Sequence, residues 1–163
     1  MLSVVTADHK AALEAERQMR AAIPAMSEAA IGKVRQLEAE VLALPQVAIA
    51  THHVLHAGLY ARTITIPAEV VLTGALIKIG TVLVLDGDAM VYLDGEAVRL
   101  TGRHVLPASA GRKQAFVAIA DTHLTMLFPT RARTVEEAER EFTDEAETLF
   151  SRTGENHVVI TGE

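Results

Sequence analysis

The chain has no cysteine in its 163 residues. Disulfides, thiolate nucleophiles and Cys-held zinc or iron–sulfur centres are therefore excluded. It has no long basic run and carries a formal net charge of −6. The counterion release that drives nucleic-acid binding is then weak, and no nucleic-acid partner is expected. Long apolar runs are missing too. The most apolar stretch, residues 70–85, is interrupted by Thr73, Gly74, Lys78, Gly80 and Thr81. It is too short and broken for a membrane span, and its β-branched residues read as strand. No positively charged leader followed by an apolar core is seen, so the expectation is a cytoplasmic protein without membrane association. A nucleophile elbow, a P-loop, a dinucleotide fingerprint and an HExxH motif are all absent.

What is present is a globular composition. Half the residues are apolar (50%), and the length suits one domain that buries a core without staples. Three zones follow one another. Residues 1–46 are rich in Ala, Glu, Arg and Gln, with no glycine before Gly32; these are helix formers. Asp8 can cap a helix running to Ala22, with Pro24 as its breaker. Ser27 can cap a second, whose Ile31, Val34, Leu37 and Val41 recur as one apolar stripe before Pro45 stops it. That stripe either packs on its own barrel or forms the seam of a homodimer or larger homo-oligomer.

Residues 47–130 read as β. Candidate strands cover 59–66, 70–79, 81–85, 89–93, 96–100, 104–107, 114–120 and 123–128, with Asp94-Gly95 as a hairpin turn. Short strands at close spacing indicate a sandwich or barrel. Residues 131–163 open with a capping box, Thr134 to Glu137. Val135, Ala138, Phe142, Ala146 and Leu149 then make an apolar helical face. Gly154 ends that pattern, and the apolar patch at 158–160 adds an edge strand or frays.

The motifs Gly58-Leu59-Tyr60-Ala61-Arg62, Ile66-Pro67-Ala68, Leu72-Thr73-Gly74, the Gly87 turn, Gly111-Arg112-Lys113-Gln114 and Asp121-Thr122 stand in an order that resembles the cupin superfamily. The chain is most similar to the small cupin-like proteins of bacteriophages and prophages. The resemblance covers residues 51–130. It implies a mainly β fold, a cupin-type double-stranded β-helix or jelly-roll barrel, with helices at both ends. It also implies pairing of barrels and, for a phage-encoded protein, the host cytoplasm. Cupins of this kind hold a metal with histidines and a carboxylate. Here Ala75 and Ile77 stand at the first ligand places, Gly80 and Thr81 at the next and Phe128 at the last. An alkyl or phenyl group has no lone pair for a metal. The resemblance therefore implies neither metal nor other cofactor, and no catalytic residue.

Strand parity places Thr73, Ala75, Ile77 and Ile79 inward and Lys78 outward. It likewise places Leu124, Met126 and Phe128 inward, with His123 and Thr125 outward. The interior is then expected to be a packed apolar core. Two other groups of residues could carry chemistry. His52, His53 and His56 cluster before the first strand and, with His104 or His123, could hold a relocated metal. Arg62, Lys78, Arg103, Arg112 and Lys113 could converge, with Arg99 near them, on a phosphate or carboxylate. Ordinary packed histidines and solvated rim cations are the alternatives.

Three functional readings result. The first is a non-enzymatic, metal-free cupin-like protein that acts by self-association and by protein or small-ligand binding. The second is a binder or sequesterer of an anionic small molecule such as a nucleotide or sugar phosphate. The third is a metal-dependent enzyme with relocated ligands.

Overall fold

The computed structural model describes residues 22–162. The helix expected over residues 8–22 lies, except for Ala22, outside them.

The centre of the fold is a long hairpin. Strand β4 (Thr81–Tyr92) pairs antiparallel along its whole length with β5 (Ala97–Ala108). The turn between them is the expected Asp94-Gly95 turn: Gly95 has φ +90° and the Leu93 N–H donates to the Glu96 carbonyl at 2.8 Å. On its other side β4 changes partner midway. Residues 82–86 pair with β7 (Thr122–Pro129), and residues 89–92 pair with β6 (Ala115–Ala118). The first branch continues through β2 (Leu59–Ile66) and β1 (Thr51–His56) to β8 (Asn156–Ile160), which runs parallel to β1. The second ends on β3 (Val71–Thr73). The two branches curl around one interior, which gives the expected mainly β, cupin-type barrel with helices packed on it.

The change of partner depends on Gly87. A Cβ there would lie 2.5 Å from Thr122 Oγ1 and 2.8 Å from the Asp121 carbonyl, at a φ of +152°. Only glycine lets β4 pass so close to the 121–122 corner. The sequence reading treats Gly87 as a turn between two strands, but the chain runs straight through it. Segments 81–85 and 89–93 are one strand for that reason, as are 96–100 and 104–107 on the opposite side.

The segment 70–79 departs in the other direction. Only 71–73 pair as strand; beyond them the backbone makes single contacts, Gly74 N–H to the Gln114 carbonyl and Ile77 N–H to the Arg112 carbonyl, both at 2.8 Å. Gly74 and Gly80 bracket this irregular piece.

Helix α1 (Glu28–Val41) begins at Ser27, whose hydroxyl accepts from the Ala30 N–H at 3.2 Å. Asp94 of the hairpin turn accepts from the Ser27 N–H and hydroxyl, at 2.9 and 2.8 Å, fixing the helix start to the barrel. Val34 is 2% exposed and packs with Met26, Ala30 and Ala115, flanked by Ile31 and Leu37. Most of the apolar stripe thus faces its own barrel. Helix α2 (Val135–Phe142) starts as expected, with Thr134 accepting from the Glu137 N–H at 3.2 Å. Its partner Glu137 reaches the Arg133 N–H at 2.8 Å, one residue before the cap. The helix ends at Phe142, earlier than the apolar period suggests. Two short 3-10 turns, Ala146–Thr148 and Phe150–Arg152, carry the chain on, and Ala146 and Leu149 remain buried.

Candidate functional site inside the barrel

The interior is not a fully packed core. Between the two branches lies a cavity of about 620 Å³, open at one end. Of the side chains expected to face inward, Thr73, Ala75, Ile77, Leu124 and Met126 line it, Ile79 is partly buried against the core without lining it, and Phe128 packs edge-on against Tyr60 and Phe142 at one side. His123 and Thr125 face outward, paired with Thr65 and Thr63. Parity holds along β7 but not across 71–79, where Leu72, set outward by alternation, is buried on the cavity wall, and it cannot measure the void that the side chains leave.

Besides threonines such as Thr73, the side chains of Arg62, Arg112 and Gln114 break the apolar wall. Arg62 follows from β2, where Tyr60, Ile64 and Ile66 are buried at alternate positions and Arg62 takes the same face. Its ladder neighbours are His53 and Met126. Its Nε and Nη2 are shut off from solvent and have no acceptor among the described residues. Burial pulls the guanidinium below the ordinary arginine value, and the nearby Tyr60 and Glu139 offset this only in part.

Arg112 is 1% exposed. Its Nη1 donates to the Ser109 carbonyl at 2.6 Å and its Nη2 to Thr81 Oγ1 at 2.7 Å, while Nε has no partner. Burial lowers it to about 10. The Gln114 side-chain nitrogen is likewise buried without an acceptor.

The mouth of the cavity is built differently. Lys113, fully buried, donates to Glu38 of α1 and to Glu145 beyond α2, each at 3.0 Å. Arg35 reaches the other Glu145 oxygen at 2.7 Å. Partial burial pushes Glu145 up, but the Leu76 N–H, Lys113 and Arg35 outweigh it and hold the carboxyl below its usual range. The C-terminal turn of α1, with Val41 and Leu42, lines the same mouth.

The five candidate cations therefore do not form one surface patch. Arg62 and Arg112 reach the cavity. Lys113 is buried in the ion cluster at its mouth. Lys78 is exposed and paired with Asp144, and Arg103 is exposed and does not line the cavity. Arg99 pairs with Asp88 at 2.7 Å. Gln114, Glu38 and Glu145 were missed by sequence reasoning. Gln114 stands beside the proposed Arg112-Lys113 pair, but nothing local marks its amide as buried.

The histidines have separate partners. His53, 1% exposed, is held between the Tyr60 hydroxyl and Asn156 Oδ1, both at 2.8 Å. His52 stacks on His157 at 4.5 Å, His56 meets Thr161 and His104 meets the Thr101 carbonyl. Among the described residues no three His, Asp or Glu side chains converge as a metal set. The cavity wall offers alkyl, phenyl, amide and guanidinium groups, with glutamates already tied to cations. That donor set does not fit the metal a catalytic cupin holds.

No protein-family model matches the chain, and no curated protein matches it. Solved structures that resemble it include a cupin superfamily protein from Desulfitobacterium hafniense, 11% identical over 53% of this chain and 82% of that one, with a TM-score of 0.43. KdgF from a Halomonas species is 24% identical over 49% and 76%, with a TM-score of 0.40. Salicylate 1,2-dioxygenase from Pseudoaminobacter salicylatoxidans is 16% identical over 71% of this chain, which spans 33% of the dioxygenase chain, with a TM-score of 0.45. These are cupin proteins and enzymes of differing roles, and no ligand or chemistry is carried over from them.

Proposed function

We propose that the chain is a binding protein that holds a small anionic molecule inside its barrel. One observation carries this reading: Arg62 is a buried guanidinium without an acceptor, on the wall of a largely apolar cavity. A buried cation without a partner is costly, and a ligand that supplies the acceptor offsets that cost. The cavity size suits a small molecule. Among the described residues its wall contains no histidine, serine or aspartate, which favours binding over chemistry.

The test is a thermal-melting screen against small organic anions. Binders should raise the melting temperature of the wild type. They should not raise that of Ala75→Phe, which places a ring in the cavity. Equal shifts in both proteins would put the ligand elsewhere and overturn the reading.

A second reading, self-association, is favoured by the outer sheet face. The register places Val159, Val54, Ala61, Leu127 and Val82 in one row across five strands. Val159, Val54 and Val82 are 55%, 40% and 43% exposed. A row of this kind suits a two-fold contact with a second copy.

A further inference from the structure

We infer that the ligand is an amphipathic monocarboxylate, with its carboxylate on Arg62 and its apolar body in the barrel. This rests on the barrel-binding reading and narrows it, away from nucleotides and sugar phosphates.

The ions at the cavity mouth are matched, but two guanidiniums on the wall, those of Arg62 and Arg112, have no carboxylate partner among the described residues. Lys113 and Arg35 answer Glu38 and Glu145 at the mouth. Arg112 has its two terminal nitrogens on Ser109 and Thr81, leaving only Nε. Of the described arginines that line the cavity, Arg62 alone has a guanidinium with no hydrogen bond and no ion pair. One guanidinium matches one carboxylate. The Gln114 amide, from the other branch of the sheet, supplies a neutral donor to the same cavity.

A phosphate monoester fits less well. It brings a charge of about −1.5 to −2, while Arg62 is the one guanidinium on the wall whose donors are all free, Arg112 having its terminal nitrogens already engaged. Its path in is also unfavourable. It would pass Glu38, Glu145 and the C-terminal end of α1, where the helix dipole is negative. A single carboxylate meets the same field at roughly half the charge. The rest of the wall is largely apolar, with Ile64, Leu72, Leu83 and Phe116, and suits a hydrocarbon body.

The experiment is titration calorimetry with octanoate, 1-octanol and octyl phosphate, on the wild type and on Arg62→Met. Methionine keeps the unbranched apolar stem and removes an unpaired charge, so the fold should be retained; Arg62→Gln serves if it is not. Octanoate should bind the wild type about tenfold or more tighter than either other probe, as a charge-assisted hydrogen bond would give. Arg62→Met should erase that preference and leave octanol binding unchanged. Octyl phosphate binding as tightly as octanoate would overturn the monocarboxylate assignment, as would an octanoate affinity indifferent to Arg62. If octanol alone binds, the carboxylate fails while the barrel-binding reading stands. If none of the three probes binds, both fall.

Discussion

The Asn156 side-chain nitrogen donates to the Ser151 carbonyl at 2.8 Å, so its oxygen is the atom turned toward His53. That fixes the imidazole: Nε2 carries the proton and donates to Asn156, and Nδ1 accepts from the Tyr60 hydroxyl. Both nitrogens are satisfied in the neutral ring. Burial is the largest influence and lowers the His53 pKa, with Arg62 acting in the same direction and Asn156 and Glu139 opposing. The unfolded chain then binds this proton more tightly than the folded one. Stability is complete above the ordinary imidazole value, about 6.5, and is lost as pH falls below it toward the lower folded value. The denaturation midpoint should therefore drop on acidification from about pH 7 to 5, and His53→Gln should flatten that slope; an unchanged slope in the variant would assign the effect to other groups. Little of this was legible in the sequence. His53 stands in a cluster with His52 and His56 that suggests a metal, yet strand alternation sends His52 and His53 to opposite faces. Asn156, the partner that decides the tautomer, is 103 residues away. Arg62 was named only as one of several cations that could converge; its inward place between Tyr60 and Ile64 comes from the fold.

Elements whose signal is local were readable, and those held by single distant contacts were not. Ser27, Thr134 and Asp94-Gly95 act as their local chemistry indicates. Helix α2 stops early because the Thr143 hydroxyl donates to the Leu76 carbonyl at 2.8 Å and Thr143 itself turns extended. The apolar spacing persists through the 3-10 turns, so the face was right although the helix was shorter. Buried Glu139 makes the same point: Ser151 and Arg152, from the later 3-10 turn, hold its carboxylate. Helix α1 shows how ions join elements. Lys113 ties α1 to the segment after α2, across the cavity mouth. Lys113→Met removes the cation between two carboxylates that are only 30% and 22% exposed. Breaking a well-buried pair costs more, but these partners stay partly wet, so the expected loss is about 2 kcal/mol. Chemical denaturation should show it, and Glu38→Gln added to Lys113→Met should restore part of it by removing one uncompensated carboxylate. A loss of stability identical in the double variant would mean that Lys113 acts through packing alone.

For the molecule as a whole, alternation along each strand predicts which side chains enter the barrel, while the space left between them depends on how two branches close around Gly87. The metal-ligand places were readable as apolar, and the void beside them was not. The same limit applies to assembly, because an apolar stripe shows that something covers it without saying what. The sequence offers Ile31, Val34, Leu37 and Val41 as a seam. In the fold Val34 is 2% exposed against Met26, Ala30 and Ala115, while Ile31, Leu37 and Val41 are half-buried. The outer row through Val54, Val82 and Val159 is left open instead. The two surfaces respond differently to charge. A carboxylate at Val34 enters an apolar contact with no partner, which costs roughly 2–4 kcal/mol or more whatever the oligomeric state. A carboxylate at Val82 stands on an exposed face, where a surface substitution shifts stability by about 0.5 kcal/mol at most, yet it places like charges face to face across a two-fold contact. If the outer row joins two copies, light scattering should report a dimer for the wild type and a folded monomer for Val82→Glu, with Val34→Glu destabilised. A dimer that persists in Val82→Glu would move the contact off this face, and a monomeric wild type would reject self-association.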